Sequence, residues 1–325
     1  GNAQTLKSLN EQLILIPDGM TCYLPFDLLI SAPVDSNDRY SYHSYDYLLR
    51  SYSISYAYSA ELWQQGSVPN QQKTKVDFHA YAPSFPQGAS SLSPLFYNIP
   101  EVKQLGKLFQ QAKVYTAEAA TLNQFRNIPS RPAILHLATH GSANAIRSDF
   151  SYLAFSPLDS NAAFLYTKDL YALALDPIQM VVLSACETGL GEAQPGEGII
   201  SLAHAFSYAG AKSIVTTLWS IDDEKTSEIM TNFYQNLKAG QAKDQALRQA
   251  KITYLESHKG EAAHPYFWAA FVPIGEMEAL EFRAFKVEWW TVVLCVLVFW
   301  CFRALVTRIK HQNSGTPEHP NTPTQ

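Results

Sequence analysis

Ile134-Leu-His-Leu-Ala-Thr-His140-Gly141 and Met180-Val-Val-Leu-Ser-Ala-Cys186-Glu187-Thr188-Gly189 are two apolar runs, each ending in a reactive side chain and a glycine. Apolar runs of about four to eight residues bounded by turn formers read as buried strands of a parallel sheet, with a short buried helix as the competing pattern. In open α/β sheets the crevice at the carboxyl ends of the strands is where chemistry is placed. His140 and Cys186 would sit there, as a base and a thiol nucleophile.

Working outward, strand and helix patterns alternate. Val76 to Tyr81 reads as a strand, Pro83 to Pro94 as a Ser- and Pro-rich loop, and Ile99 to Gln111 as an amphipathic helix with Val102, Leu105, Leu108 and Phe109 on one face. Val114 to Thr116 and a helical Ala120 to Asn127 precede the His run. Tyr152 to Phe155 and a short helix near Lys168 to Leu175 follow it. After the Cys run comes a glycine-rich loop, then a helix with Ile199, Leu202, Ala203 and Phe206 at i, i+3, i+4 and i+7, closed by Gly210. Ser213 to Leu218 is a further strand. A helix capped by Asp222 or Asp223 and faced by Ile229, Met230, Phe233 and Leu237 ends at Gly240. Gln241 to Ser257 is one more helix, and Tyr266 to Ile274 a final aromatic strand. This alternation predicts an α/β class with a mostly parallel central sheet flanked by helices.

Upstream, Asp18-Gly19 between two apolar stretches predicts an edge hairpin. Tyr52, Ile54, Tyr56 and Tyr58 alternate with small residues and predict a strand whose aromatic face packs under a helix. Polar residues 64–75 suggest a boundary, which divides the chain into an N-terminal part, 1–75, and a core, 76–276.

A formal charge of −5 without a basic block disfavours nucleic acid as a partner. Cys22, Cys186, Cys295 and Cys301 show no paired spacing, which disfavours a disulfide scaffold or zinc ribbon. There is no initiator Met and no signal-peptide pattern, consistent with a fragment or processed form. His136 and His140 on one strand would stand about four rises of roughly 3.3 Å apart, too far to share a metal, so His136 is read as structural and no metal or cofactor is expected. Gly191 and Gly196 have P-loop spacing, but Glu197-Gly198 stands where Lys and Ser or Thr are required. Gln194 replaces the third glycine of a dinucleotide fingerprint. No G-x-S-x-G elbow occurs.

Cys186 ends its run, and His140 lies 186 − 140 = 46 residues upstream, close to the roughly 50 of caspase-type dyads. Leu135-His-Leu-Ala-Thr-His-Gly141, Leu183-Ser-Ala-Cys-Glu-Thr-Gly189, Gly196-Glu-Gly198 with Ala209-Gly210-Ala211, Leu218-Trp-Ser-Ile-Asp222-Asp223 and His264-Pro-Tyr-Phe-Trp-Ala-Ala-Phe271 resemble, in order, the motifs of the CHAT family, caspase-like peptidases related to separase. Ile16-Pro-Asp-Gly19 with Leu24-Pro-Phe26 resembles the start of that domain, so the resemblance spans about residues 11 to 276. It implies a caspase-type fold, a His140 and Cys186 dyad, and cleavage of protein substrates. By analogy, the backbone N–H groups of Gly141 and Cys186 would hold the oxyanion. Glu187, Asp222 and Asp223 would either line an acidic pocket selecting Lys or Arg, or serve as turn and cap residues. Family members usually carry tetratricopeptide repeats, so a regulatory protein or an N-terminal repeat region is the expected partner. The alternative is a caspase-like interaction module with an unused dyad.

Trp289 to Phe302 is an uncharged run of 14 residues, and Val287 to Ile309 with Trp289, Trp290 and Trp300 reads as a short membrane span with aromatic edges. The expectation is a single C-terminal anchor over 287–309 within a 277–310 segment, with either orientation open, and a disordered tail at 311–325.

Overall fold

The computed structural model describes residues 12–34, 40–66, 75–86, 92–127, 129–142, 144, 147–156, 164–184, 197–219, 221, 223–282 and 303, the side chains of 65, 66, 197–201, 223 and 224 excepted. The chain forms two compact units, residues 1–283 and 284–325. In chain order the first unit contains β1 (Gln12–Leu15), α1 (Leu48–Ser51), β2 (Ser53–Tyr56), α2 (Ala60–Gly66), β3 (Lys75–Ala82), α3 (Asn98–Gly106), β4 (Lys113–Thr116), α4 (Leu122–Arg126) and β5 (Ala133–Leu137). It continues with β6 (Gly141–Ser142), β7 (Tyr152–Ala154), β8 (Phe164–Tyr166), α5 (Thr167–Leu170), β9 (Ile178–Leu183), α6 (Glu197–Tyr208), β10 (Ser213–Thr217), α7 (Asp223–Lys238), α8 (Lys243–Ser257), β11 (Phe271–Gly275) and β12 (Glu281–Phe282).

The central sheet runs β1-β2-β11-β10-β9-β5-β3-β12, with β4 also paired to β3. Its described neighbours are parallel except β10 and β11. Helix count explains that reversal. One crossover helix returns the chain to the starting end of the sheet and yields a parallel strand. Between β10 and β11 stand two helices, α7 and α8, which pack on each other and bring the chain back to the end it left. The class is mixed α/β with a mostly parallel central sheet flanked by helices.

Two-residue periodicity sorts the core into two layers. On β5, Ala133, Leu135 and Leu137 join a layer with Phe125, Leu170, Leu202 and Phe206, from α4, α5 and α6. Ile134 and Ala138 face the other layer, with Val102 and Leu105 of α3, Phe233 of α7 and Leu247 of α8. Ile229, Met230, Phe233 and Leu237 are fully buried, so this stripe of α7 contributes on the order of 6–12 kcal/mol before chain entropy is subtracted. Helix α6 ends as its glycine predicts. Gly210 has φ +109°, Gly210 N–H donates to Ser207 O and Ala211 N–H to Phe206 O, a Schellman closure.

Several local expectations are corrected. Asp18-Gly19 makes no hairpin: Asp18 caps a 3₁₀ turn over Gly19–Tyr23, with Thr21 completing a capping box, and β1 pairs in parallel with β2. An aspartate followed by glycine suits a cap as well as a turn, and here the backbone N–H of Gly19 takes the Asp18 carboxylate. Helix α3 starts one residue early and stops at Gly106, and Pro265–Phe267 is a 3₁₀ turn ahead of β11. A small antiparallel sheet, β6-β7-β8, follows the His run; of its strands the sequence pattern singles out only the Tyr152 to Phe155 segment, which forms β7. The aromatic face of β2 is packed, with Tyr56 Oη donating to Leu24 O and accepting from Phe26 N–H.

The membrane expectation is also corrected. Among the described residues no helix is long and apolar enough to cross a membrane. The longest of them, α7 with 16 residues, extends about 24 Å against a hydrocarbon core of roughly 30 Å. The 287–309 segment lies outside the described residues apart from Arg303, and no apolar C-terminal helix is supported.

Candidate active site

His140 leaves the carboxyl end of β5 three residues after Leu137, and its side chain is 2% exposed. Strand β9 is the direct parallel neighbour of β5, with Leu137 opposite Leu183. Cys186 follows Leu183 by 186 − 183 = 3 residues, the same offset that separates His140 from Leu137. Cys186, Glu187 and Asp222 lie outside the described residues, and of Asp223 only its place at the start of α7 is described.

The imidazole of His140 is held from the loop after β3. Its Nε2 is 2.7 Å from Ser93 O, and its ring centroid is 4.8 Å from that of Phe85. A carbonyl oxygen only accepts, so Nε2 carries the proton in this contact, and in the neutral ring Nδ1 is the basic nitrogen. Thr139 is fully buried and donates through Oγ1 to Ala154 O at 2.5 Å, which fixes the backbone just before His140.

Gly141 opens β6 opposite Leu153. Ala154 N–H donates to His140 O, so Gly141 and Leu153 form a non-hydrogen-bonded pair. In such a pair the N–H of Gly141 points away from β7.

His136 is fully buried on the face of β5 that Ile134 shares. Its Nδ1 is 3.0 Å from Tyr234 Oη on α7, and its Nε2 is 3.2 Å from Glu101 Oε1 on α3, off the axis of a hydrogen bond. Burial, then the charge of Glu101, pushes the Tyr234 phenol well above its usual range, so it stays a donor. Three other motif residues are tied into local structure. Trp219 donates to Tyr266 O, His264 Nδ1 accepts from Tyr266 N–H, and the fully buried Trp268 donates to Ala263 O.

A cavity of about 510 Å³ lined by Ile14, Tyr58, Trp63, Lys212 and Met277 opens near the amino end of β10. His140 belongs to the carboxyl ends of the neighbouring parallel strands, so this cavity is separate from it. Sequence reasoning missed Phe85, Ser93 and Glu101. For Glu101 a signal existed, because Asn98, Glu101, Val102 and Leu105 share the i, i+3, i+4, i+7 stripe of α3. For Ser93 there was none, since a backbone carbonyl carries no residue preference.

The CHAT domain profile matches residues 2–276, and the chain belongs to the CHAT domain family. A stretch of 99 residues, 30% of the chain, is 30% identical to tetratricopeptide repeat protein 28 of Homo sapiens, and covers 4% of that protein. The chain thus matches only a small part of this relative's length. Among solved structures, the Arg-specific cysteine proteinase gingipain R is similar with a TM-score of 0.49 at 9% identity, over 70% of this chain and 55% of that one. The Saccharomyces cerevisiae separase–securin complex is similar with a TM-score of 0.41 at 10% identity, over 73% of this chain and 15% of that one.

Proposed function

We propose that the chain is a cysteine endopeptidase acting on protein substrates through His140 and Cys186, under control of a partner protein or repeat region. The observation that carries this reading is the adjacency of β5 and β9 within a CHAT domain, each followed at the same offset by one member of the dyad. In this mechanism the Cys186 thiolate attacks the scissile carbonyl carbon, and the oxyanion collapses to a thioester as the C–N bond breaks. His140, oriented through Nε2 by Ser93 O, takes the Cys186 thiol proton at Nδ1 as the thiolate forms and passes it to the leaving amine. It then takes a proton from the water that hydrolyses the thioester. The Gly141 N–H, turned away from β7, suits a role in stabilising the oxyanion with the N–H of Cys186. Glu187, Asp222 and Asp223 form an acidic pocket in this reading and select Lys or Arg before the cut.

A second reading is an interaction module with an unused dyad. It is favoured by a relative named for its tetratricopeptide repeats rather than for an activity. Incubating the chain with a proteome-derived peptide library, beside Cys186→Ala and His140→Ala, separates the two. The expected result is cleavage after basic residues that both substitutions abolish. Cleavage that survives Cys186→Ala would overturn the dyad, and cleavage only after acidic residues would overturn the pocket. No cleavage together with no labelling of Cys186 by a peptide electrophile would favour the interaction module.

A further inference from the structure

We propose that the first turn of α3 is a positioning clamp for the dyad, with Asn98 and Glu101 as its positioning residues; the inference rests on the peptidase reading above. Both side chains are buried, Asn98 at 4% and Glu101 at 3% exposure, on the helix face that meets the sheet. An apolar residue would pack there without cost, whereas a buried amide and a buried carboxylate need partners. The partners they find are the exits of three strands. Asn98 Nδ2 donates to Pro83 O at 2.8 Å, after β3, and to Ala138 O at 3.2 Å, after β5. Ser184, after β9, donates through Oγ to Glu101 Oε1 at 2.6 Å.

Each tie lies two residues before a member of the site. Pro83 precedes Phe85, which packs on the His140 ring; Ala138 precedes His140; and Ser184 precedes Cys186. The three exits are thereby referred to one rigid element. His136 and Tyr234 hold Glu101 from the other side. A carboxylate only accepts, so Ser184 donates to it, Nε2–H of His136 faces it, and Nδ1 accepts from the Tyr234 hydroxyl. One tautomer suits the set, with Nδ1 accepting from Tyr234 and Nε2–H on the Glu101 side, where the contact is electrostatic rather than an aligned hydrogen bond.

The test reads the dyad directly. Alkylation of Cys186 by iodoacetamide is followed by peptide mass spectrometry from about pH 5 to 9, since a thiol paired with imidazolium reacts well below the ordinary thiol range near 8.5. The full chain is compared with Glu101→Leu, Glu101→Gln, Ser184→Ala and His140→Ala, with circular dichroism as the folding control. We expect an acid shoulder in the wild type that His140→Ala removes. Glu101→Leu should lower it at least about tenfold, because displacement by about 1 Å can cost on the order of a hundredfold. Glu101→Gln keeps an acceptor for Ser184 and should stay within about threefold of the wild type. Ser184→Ala, which deletes only the hydroxyl tie, should lower the shoulder even if Glu101→Leu does not fold. An unchanged shoulder in folded Glu101→Leu, or in Ser184→Ala, would overturn the clamp while leaving the dyad intact. Identical profiles for wild type and His140→Ala would instead overturn the dyad, and the positioning role with it.

Discussion

Lys251 of α8 is 1% exposed, and its ammonium meets the Asp27 carboxylate, itself 4% exposed, while also donating to Phe271 O at 2.6 Å. This ion pair joins the Leu24-Pro25-Phe26 segment to α8 and β11. Replacing Lys251 by Met preserves the stem's packing but strands a buried carboxylate, which costs about 3–5 kcal/mol. With a melting shift of about 2–4 °C per kcal/mol for chains of roughly this size, the expected fall in Tm is on the order of 6–20 °C. Asp27→Asn strands the ammonium and should cost a comparable amount. The double variant should cost less than the sum of the singles by about 3 kcal/mol, because neither charge then lacks its partner. Urea unfolding of the four proteins, followed by circular dichroism, measures that coupling. Costs that add to within about 0.5 kcal/mol would show that the two groups do not stabilise each other and would refute the argument.

Burial pushes the ammonium of Lys243 down to about 8, outweighing Glu276, Glu278 and Asp244. Between about pH 8 and 10 the unfolded lysine binds more proton than the folded one, so stability should rise with pH there by up to about 1.4 kcal/mol per unit. Above pH 10 burial holds Tyr47, Tyr56, Tyr58 and Tyr81 protonated in the fold, and stability should fall again. Urea melts across this range should show the rise in the wild type and its loss in Lys243→Met. Gly210→Ala would bring a Cβ within 2.8 Å of Asp176 N at φ +109°, whereas Gly240→Ala meets nothing within 4 Å at φ +88°. Both incur the left-handed backbone cost of about 1 kcal/mol, and the Gly210 variant should melt clearly lower than the Gly240 variant.

Much of this protein is written in local pattern. The apolar runs ending at His140 and Cys186, the α7 stripe of Ile229, Met230, Phe233 and Leu237, and the closure at Gly210 follow from residue periodicity and from glycine's tolerance of positive φ. These properties act over a few residues and need no knowledge of the rest of the chain. The ordered motifs added the family, which the match over residues 2–276 bears out. What tertiary structure decided is neighbourhood. Periodicity assigns Leu135 and His136 to opposite faces of β5, but the identity of the next strand depends on crossovers, so the β5–β9 adjacency and the reversal at β11 emerge only when the helices pack. The same holds for Asp18, whose carboxylate could serve a hairpin or a cap and was committed by the parallel pairing of β1 with β2. It holds most strongly for Ser93 and Glu101. A carbonyl has no letter in the sequence, and a glutamate on an apolar stripe acquires a role only when the ends of β5 and β9 are brought beneath it.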